Sequence, residues 1–303
     1  MLQKPLVYFD SNIYRHIYHN ELIIENISDI IPVFSSVHFD EISRGSNSYL
    51  LESIKETKSY FLNDDYNIVT NEISYNLISD VNVEELFAEY LESQKGFENI
   101  GDLINPLQAR FNGAKNYETV KALPGKLYQF VNKFKLSYSK KEIEDLTDLF
   151  SIYLKDDIQL QTIRKQMGIN EKNLEAIKQL ENPIEELFRI SKLDQYFKQA
   201  FTENDGIKKE SIDSQVIILH SLLNWFGLWS DKKLANEAKT PNIMADGQHI
   251  SKAIYCEAFF TVDKNLHSKC KAIYKYLNIN TSVLLGEAYP DKVIRSTFSF
   301  SNK

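Results

Sequence analysis

The chain has 303 residues, 43% of them hydrophobic and 25% charged, close to the averages of ordinary globular proteins, which excludes collagen-like, coiled-coil and disordered polypeptides. Its formal net charge of -7 argues against a protein that coats nucleic acid through an overall basic surface, yet leaves room for an enzyme that meets phosphates through cations or a local basic groove. Cys256 and Cys270 are the only cysteines, so neither a disulfide framework nor a Cys/His zinc site is expected, and a reducing, cytoplasmic setting fits.

The N-terminal residues lead directly into a strand-like run with no apolar leader core. Leu6 Val7 Tyr8 Phe9 predicts a strand, Asp10 Ser11 Asn12 a polar turn, and Ile13 to Tyr18 a helix. The pattern recurs at Ile30 to Phe34, with Ser35 and Ser36 as caps and Val37 to Ser43 as a helix carrying Asp40 and Glu41. Two strand-to-helix units in succession indicate an α/β domain with parallel strands.

From about Tyr49 to Trp229 helix formers dominate, with apolar residues recurring at three and four, as in Val83, Leu86, Phe87, Tyr90 and Leu91. A large, mainly α-helical insertion or lid over 49–229 is the simple description, with Tyr66 to Thr70 as one candidate extra strand. The most apolar stretch, Val216 to Trp229, is broken by His220 and Asn224 and is too short to span a bilayer, so no membrane partner is expected. After Pro241 the alternation returns: a helix opened by Asp246 and running through Tyr255, a strand at Ala258 to Thr261, Asp263 at its end, a helix from Lys264 to Tyr276, and a strand at Thr281 to Leu285. The expected organisation is a discontinuous α/β domain, 1–48 plus 230–303, whose parallel sheet is flanked by helices and interrupted by the helical segment.

In an open parallel sheet, ligands collect outside the carboxyl ends of the strands. Asp10, Glu41, Asp246 and Asp263 all fall at or just after such ends, so they can converge. Converging carboxylates raise one another's pKa unless a cation neutralises them. An oxygen-only set suits Mg²⁺ or Mn²⁺, which would favour phosphodiester hydrolysis. Asp10 and Asp246 are the candidate direct metal ligands, with Glu41 and Asp263 as further ligands directly or through water. Asn12 and Thr261 are candidates to orient a carboxylate. Each acid alone has a local explanation: Asp246 could merely cap its helix, and Glu41, beside Asp40, could be a solvated helix residue. Only the ordered set is informative.

These residues resemble the PIN domain family. The resemblance lies in Val7 to Asn12, in Ser35 to Ile42, and most sharply in Asp246 Gly247 Gln248 His249 Ile250 Ser251 Lys252 Ala253 followed by Phe259 Phe260 Thr261 Val262 Asp263. It covers the first 45 or so and the last 60 or so residues. It implies a Mg²⁺- or Mn²⁺-dependent nuclease acting mostly on RNA, with the four acids as its catalytic and metal-binding site. The long middle departs from the compact toxin ribonucleases of that family. His249 is a supporting candidate, although the burial habits of histidine favour a structural place beside Ile250.

Lys115, Lys121, Lys126, Lys133, Lys135, Lys140 and Lys141, interleaved with Tyr117, Tyr128, Phe130, Phe134 and Tyr138, form a candidate groove for a single strand; the competing reading is helix core with a solvated lysine face. Two other readings of the chain remain open: a structure-specific DNA nuclease, and a non-catalytic PIN-like scaffold whose insertion binds a protein partner. A phosphatase using Asp10 as nucleophile would want an acid where Asn12 stands. Nucleotide triphosphatase and serine hydrolase motifs are missing.

Overall fold

A computed structural model describes residues 4–45, 47–67, 72–95, 141, 164–165, 167–191, 211–230, 240–288 and 294–296. In chain order the strands are β1 (Leu6–Phe9), β2 (Leu22–Ile24), β3 (Ile31–Ser35), β4 (Tyr60–Asn67), β5 (Glu72–Ile78), β6 (Ala258–Thr261), β7 (Ser282–Leu285), β8 (Glu287–Ala288) and β9 (Ile294–Ser296). The helices are α1 (Ser11–Tyr18), α2 (Ser36–Arg44), α3 (Tyr49–Glu56), α4 (Val83–Gln94), α5 (Glu171–Lys178), α6 (Pro183–Ser191), α7 (Ile212–Phe226), α8 (Thr240–Ala253) and α9 (Lys264–Leu277).

A six-stranded sheet runs in the order β5-β4-β3-β1-β6-β7. Every pairing in it is parallel except β4 with β5. A parallel sheet is covered on both faces, which demands strands apolar along their whole length. Val7, Tyr8, Phe9, Val33, Phe34 and Ala258 to Phe260 meet that demand, and all are buried. Alternation then sorts them. Val7, Phe9, Phe34, Phe61, Ala258 and Phe260 join one core with Ile13 and Tyr14 of α1, Phe39 and Ile42 of α2, Leu50 and Ile54 of α3, and Val83 of α4. Tyr8 points to the other face, where its hydroxyl lies 3.0 Å from His249 Nδ1 of α8. A smaller three-stranded sheet, β2-β9-β8, joins the two ends of the chain again.

Residues near both termini therefore build one sheet, an α/β arrangement flanked by helices. Contacts divide the chain into two compact units, Met1–Ser93 with Lys209–His220 and Ala245–Lys303, and Gln94–Lys208 with Ser221–Met244. Sequence alone drew the first boundary at residue 48; the division falls at Ser93, because β4 extends the parallel sheet beside β3 and β5 closes its edge. The Asn63 Asp64 Asp65 run disfavours a strand by composition and hides that element, of which the expected Tyr66–Thr70 strand overlaps only the last residues. Residues 68–70 lie outside the described residues. In the second unit Asn170 caps α5 by accepting from the Asn173 N–H at 3.0 Å, and α5 and α6 bury Leu174, Ile177, Leu187 and Phe188. Among the described residues, no helix is long and apolar enough to cross a membrane.

Two local features set the site's frame. At the start of α2 the Val37 N–H donates to Ser35 Oγ and the Ser35 N–H donates to His38 Nδ1 at 3.2 Å. His38 Nε2 donates to the Phe9 carbonyl at 2.9 Å, so a neutral imidazole ties α2 to the end of β1. Helix α8 starts at Thr240, with Pro241 in a first turn that needs no proline N–H. Asp246 therefore lies within the helix and not at its N-terminus, as the sequence had suggested, and it does not serve as a cap.

Burial, then the neighbouring charge of His249, pushes His38 down to about 3, whereas an unfolded histidine titrates near 6.5. Below about pH 6.5 the unfolded chain takes up a proton that the native imidazole refuses, so this contribution to stability is present at neutral pH and is lost as pH falls toward 3. His38→Gln should flatten the loss of urea stability between pH 7 and pH 4 by about 3 kcal/mol; an unchanged slope would refute the role. Gly247 on α8 supplies a second test. A Cβ there would stand 2.8 Å from Nδ1 of His220, which is itself buried. Alanine ordinarily favours a helix over glycine by about 1 kcal/mol, but here overlap should win, and Gly247→Ala should lower stability by roughly 1–3 kcal/mol. A raised urea midpoint would contradict this packing.

Candidate functional site

The Asp10 N–H donates to the Phe260 carbonyl at 3.0 Å, continuing the β1–β6 ladder to the carboxyl end of the sheet. Asp10 is the N-cap residue of α1, yet its side chain makes no capping hydrogen bond. Its Oδ2 accepts instead from Thr261 Oγ1 at 2.8 Å and from Asn12 Nδ2 at 3.3 Å, so both candidate orienting residues touch it. The residue is 2% exposed. Burial raises its pKa; His249 opposes this, and the charge of Glu41 adds to it.

Asp246 is partly exposed, but its carboxyl is held well above the usual range. Burial is the largest cause, followed by repulsion from Asp10; the charge of Lys269 works against both, and Glu41 adds further repulsion. The sheet and α8 thus bring Asp10, Asp246 and Glu41 into one another's electrostatic field. Asp263 is different: it is exposed, and its Oδ1 accepts from the Asn265 and Leu266 N–H groups at 2.7 and 2.9 Å, capping α9. Its connection to Asp10 is indirect, since its own N–H donates to Thr261 Oγ1 at 3.1 Å. Among the described residues, no three acid, imidazole or thiol groups stand as a ready-made metal-holding set.

His249 lies on α8 three residues beyond Asp246, hence on the same face, and it is fully buried. Its Nε2 is 3.0 Å from Glu41 Oε2 and 3.3 Å from Ser11 Oγ, and Ser11 also donates to Glu41 Oε2. Burial pulls the imidazole down, but the charge and hydrogen bond of Glu41, then the charges of Asp10 and Asp246, outweigh it and raise its pKa. Burial correspondingly works to raise Glu41, and His249 overcomes it, with Ser11 assisting, to bring Glu41 to about 2. Tyr8 Oη, 2.7 Å from Ser35 Oγ, holds the other side of the ring. The result is an internal ion pair seated among carboxylates.

Sequence reasoning did not single out Ser11, Tyr8, His38, His220 or Lys269. For Lys269 a signal existed: it falls three residues after Leu266 and four before Ile273, on the apolar face of α9, and it is 3% exposed. For Ser11 and Tyr8 there was none, because their partners lie 30 and 241 positions away. The lysine-aromatic segment from Lys115 to Tyr138 lies outside the described residues, as does Lys140; of that group only Lys141 is described.

Chemically, two strained carboxylates beside a neutralised third can attract a cation, fix a polar ligand, or exchange a proton with His249. The comparisons with known proteins add no relative: no model of a protein family, no curated protein and no solved structure matches this chain.

Proposed function

We propose that the chain is a divalent-cation-dependent nuclease of the PIN-like class, enlarged by a mainly helical insertion and cutting phosphodiester bonds, in RNA by preference. The observation that carries this reading is Asp10. It ends the central strand, forgoes the capping bond its position offers, and is buried beside Asp246 and Glu41 with its pKa raised. Carboxylates held in that condition are relieved by a hard cation with oxygen preference. Asp10 and Asp246 would hold Mg²⁺ or Mn²⁺, with Glu41 and Asp263 acting through water. When bound, the ion would supply Lewis acidity toward the scissile phosphate and neutralise charge on the leaving oxygen.

The chain's own groups have distinct tasks in this reading. Thr261 and Asn12 donate to one oxygen of Asp10 and fix its rotamer. His249 keeps Glu41 ionised, and Tyr8 holds the ring. The buried wall behind them excludes bulk water and strengthens every charge interaction within. A non-catalytic scaffold with a protein partner is favoured by one observation, the internal neutralisation of Glu41 without a third ready metal donor among the described residues.

Incubating the protein with labelled single-stranded RNA, duplex RNA and flapped DNA, in Mn²⁺ or in chelator, separates the readings. Mn²⁺-dependent cleavage of RNA is expected, falling roughly a hundredfold or more in Asp10→Asn. No cleavage of any substrate by the unaltered chain would leave the scaffold, and cleavage of the flap alone would move the substrate to DNA. A second measurement reads the electrostatics without activity. A carboxyl whose folded pKa is raised penalises the native state at every pH above its unfolded value, so removing one member of the repelling set should stabilise the cation-free fold. Asp246→Asn should raise the melting temperature in chelator at pH 7.5 by roughly 2–4 °C and abolish the upward shift that Mn²⁺ gives the unaltered chain. A lower melting temperature would mean that the carboxylates are not under strain.

A further inference from the structure

We infer that the outer half of the β4–β5 hairpin is a hinged flap, latched to the end of α8, that opens beside the acidic edge of the sheet while the sheet itself stays folded. Strand register and side-chain contacts carry it, whatever the acidic edge binds. Tyr8 is level with Val33, and Val33 with Tyr60, so Leu62 is level with Asp10. There the pairing of β4 with β3 ends, at Ser35 opposite Leu62. Pairing with β5 continues alone, from Asn63 opposite Asn76 to Asn67 opposite Glu72. At the rise of a strand this arm projects roughly 15 Å past the carboxyl edge at which Asp10 is buried.

A two-stranded ribbon is marginal in water by itself, and the Asn63 Asp64 Asp65 run is a poor strand former. Helix α8 supplies a dock. The ring of Tyr75 stacks on that of Tyr255, with centroids 3.6 Å apart. Lys252 Nζ is 2.8 Å from Asp64 Oδ2 and 5.1 Å from the centre of the Tyr75 ring, a cation–ring contact. Asp64 and Tyr75 are opposite one another in the ladder, so both strands are gripped at one level.

The platform is fixed independently of the arm. Tyr255 Oη donates to Asp213 Oδ2 at 2.9 Å and Ser251 Oγ donates to Asp213 Oδ1 at 3.1 Å, which ties the end of α8 to the start of α7. Ile250 and Ala253 on the same helix are fully buried. Lifting the arm therefore leaves α8 in place. On the arm's side the latch is a ring stack and an ion pair whose members are 14% and 34% exposed, and contacts of these kinds are individually weak. They permit the arm to open far more often than the buried strands β1 and β6, pivoting at Asn63 and Asn76. Opening uncovers Lys252 and Tyr255 on the helix that also carries His249 and Asp246, and frees the flank of the acidic edge.

Hydrogen exchange of the intact chain, resolved along β4, tests the flap. Amides from Asn63 to Tyr66 should exchange roughly a hundredfold faster than those of Phe61, Leu62 and the central strands, with the break at Leu62. Tyr75→Ala should speed the arm about tenfold more and leave β1 and β6 unchanged, while Tyr75→Phe, which keeps the stack, should retain most of the protection. Acylation of Lys252 by an amine-reactive reagent should accelerate in step with exchange in Tyr75→Ala. Asp64→Asn, a milder change, should speed the arm roughly twofold to threefold and serves should the alanine variant not fold. Arm amides as protected as those of β1 overturn the inference, as does an equal acceleration of β1 and β6 in Tyr75→Ala or unchanged labelling of Lys252. Exchange that grades smoothly from Tyr60 to Asn67 marks simple fraying and overturns it too.

Discussion

The site depends on the burial of one carboxylate, Asp10, at the end of the central strand. Its neighbours do not dissolve the strain. Thr261 and Asn12 donate to one of its oxygens, which favours the charged form, yet burial and the presence of Glu41 keep its pKa raised. A fold that needed only a helix cap would have turned this side chain toward the backbone of α1, as Asp263 is turned toward the backbone of α9. The contrast between two aspartates at equivalent strand-to-helix junctions, one capping and one not, separates a local requirement from one that local structure cannot explain.

His249 gives the cluster its internal balance. Two residues with opposite tendencies, a buried histidine that would shed its proton and a buried glutamate that would gain one, hold each other in the charged state. Such a pair is not strong evidence of stability, because desolvation offsets much of its attraction. Its value lies in position. It links α2 to α8 across the end of β1, while Tyr8 and Ser35 secure the imidazole from behind. Lys269 brings a further buried cation from α9, easing the burden on Asp246. The first compact unit thus distributes positive charge from two helices among carboxylates collected from β1, α2 and α8.

Much of the fold was legible because its strands are short, apolar and bounded by polar turns. β1, β3, β6 and β7 follow directly from Leu6 to Phe9, Ile30 to Phe34, Ala258 to Thr261 and Thr281 to Leu285, and the α/β class follows from their rhythm. β4 and β5 escaped for a physical reason: their outer halves lie at a sheet edge, where asparagine, aspartate and serine replace the apolar pattern. The junction of α8 was misjudged because Pro241 reads as a breaker, although a proline in the first turn is compatible with a helix. At the site, sequence order suggested that the acids meet. It could not separate an inward Asp10 from a capping Asp263, since that choice depends on whether a hydroxyl from another strand is present to receive the carboxylate.

That hydroxyl belongs to Thr261, which accepts from the Asp263 N–H while donating to Asp10. One side chain thereby serves both junctions: it satisfies the backbone where β6 turns into α9 and directs the carboxylate at the end of β1. Because Phe9 pairs with Phe260 in the parallel register, Thr261 stands level with Asp10, and the same register that buries the aromatic core also aligns this contact. A shift of β6 by a single residue would send Thr261 to the opposite face, leaving Asp10 buried without its strongest donor. The packing of the core and the chemistry at its edge are therefore fixed by one strand alignment.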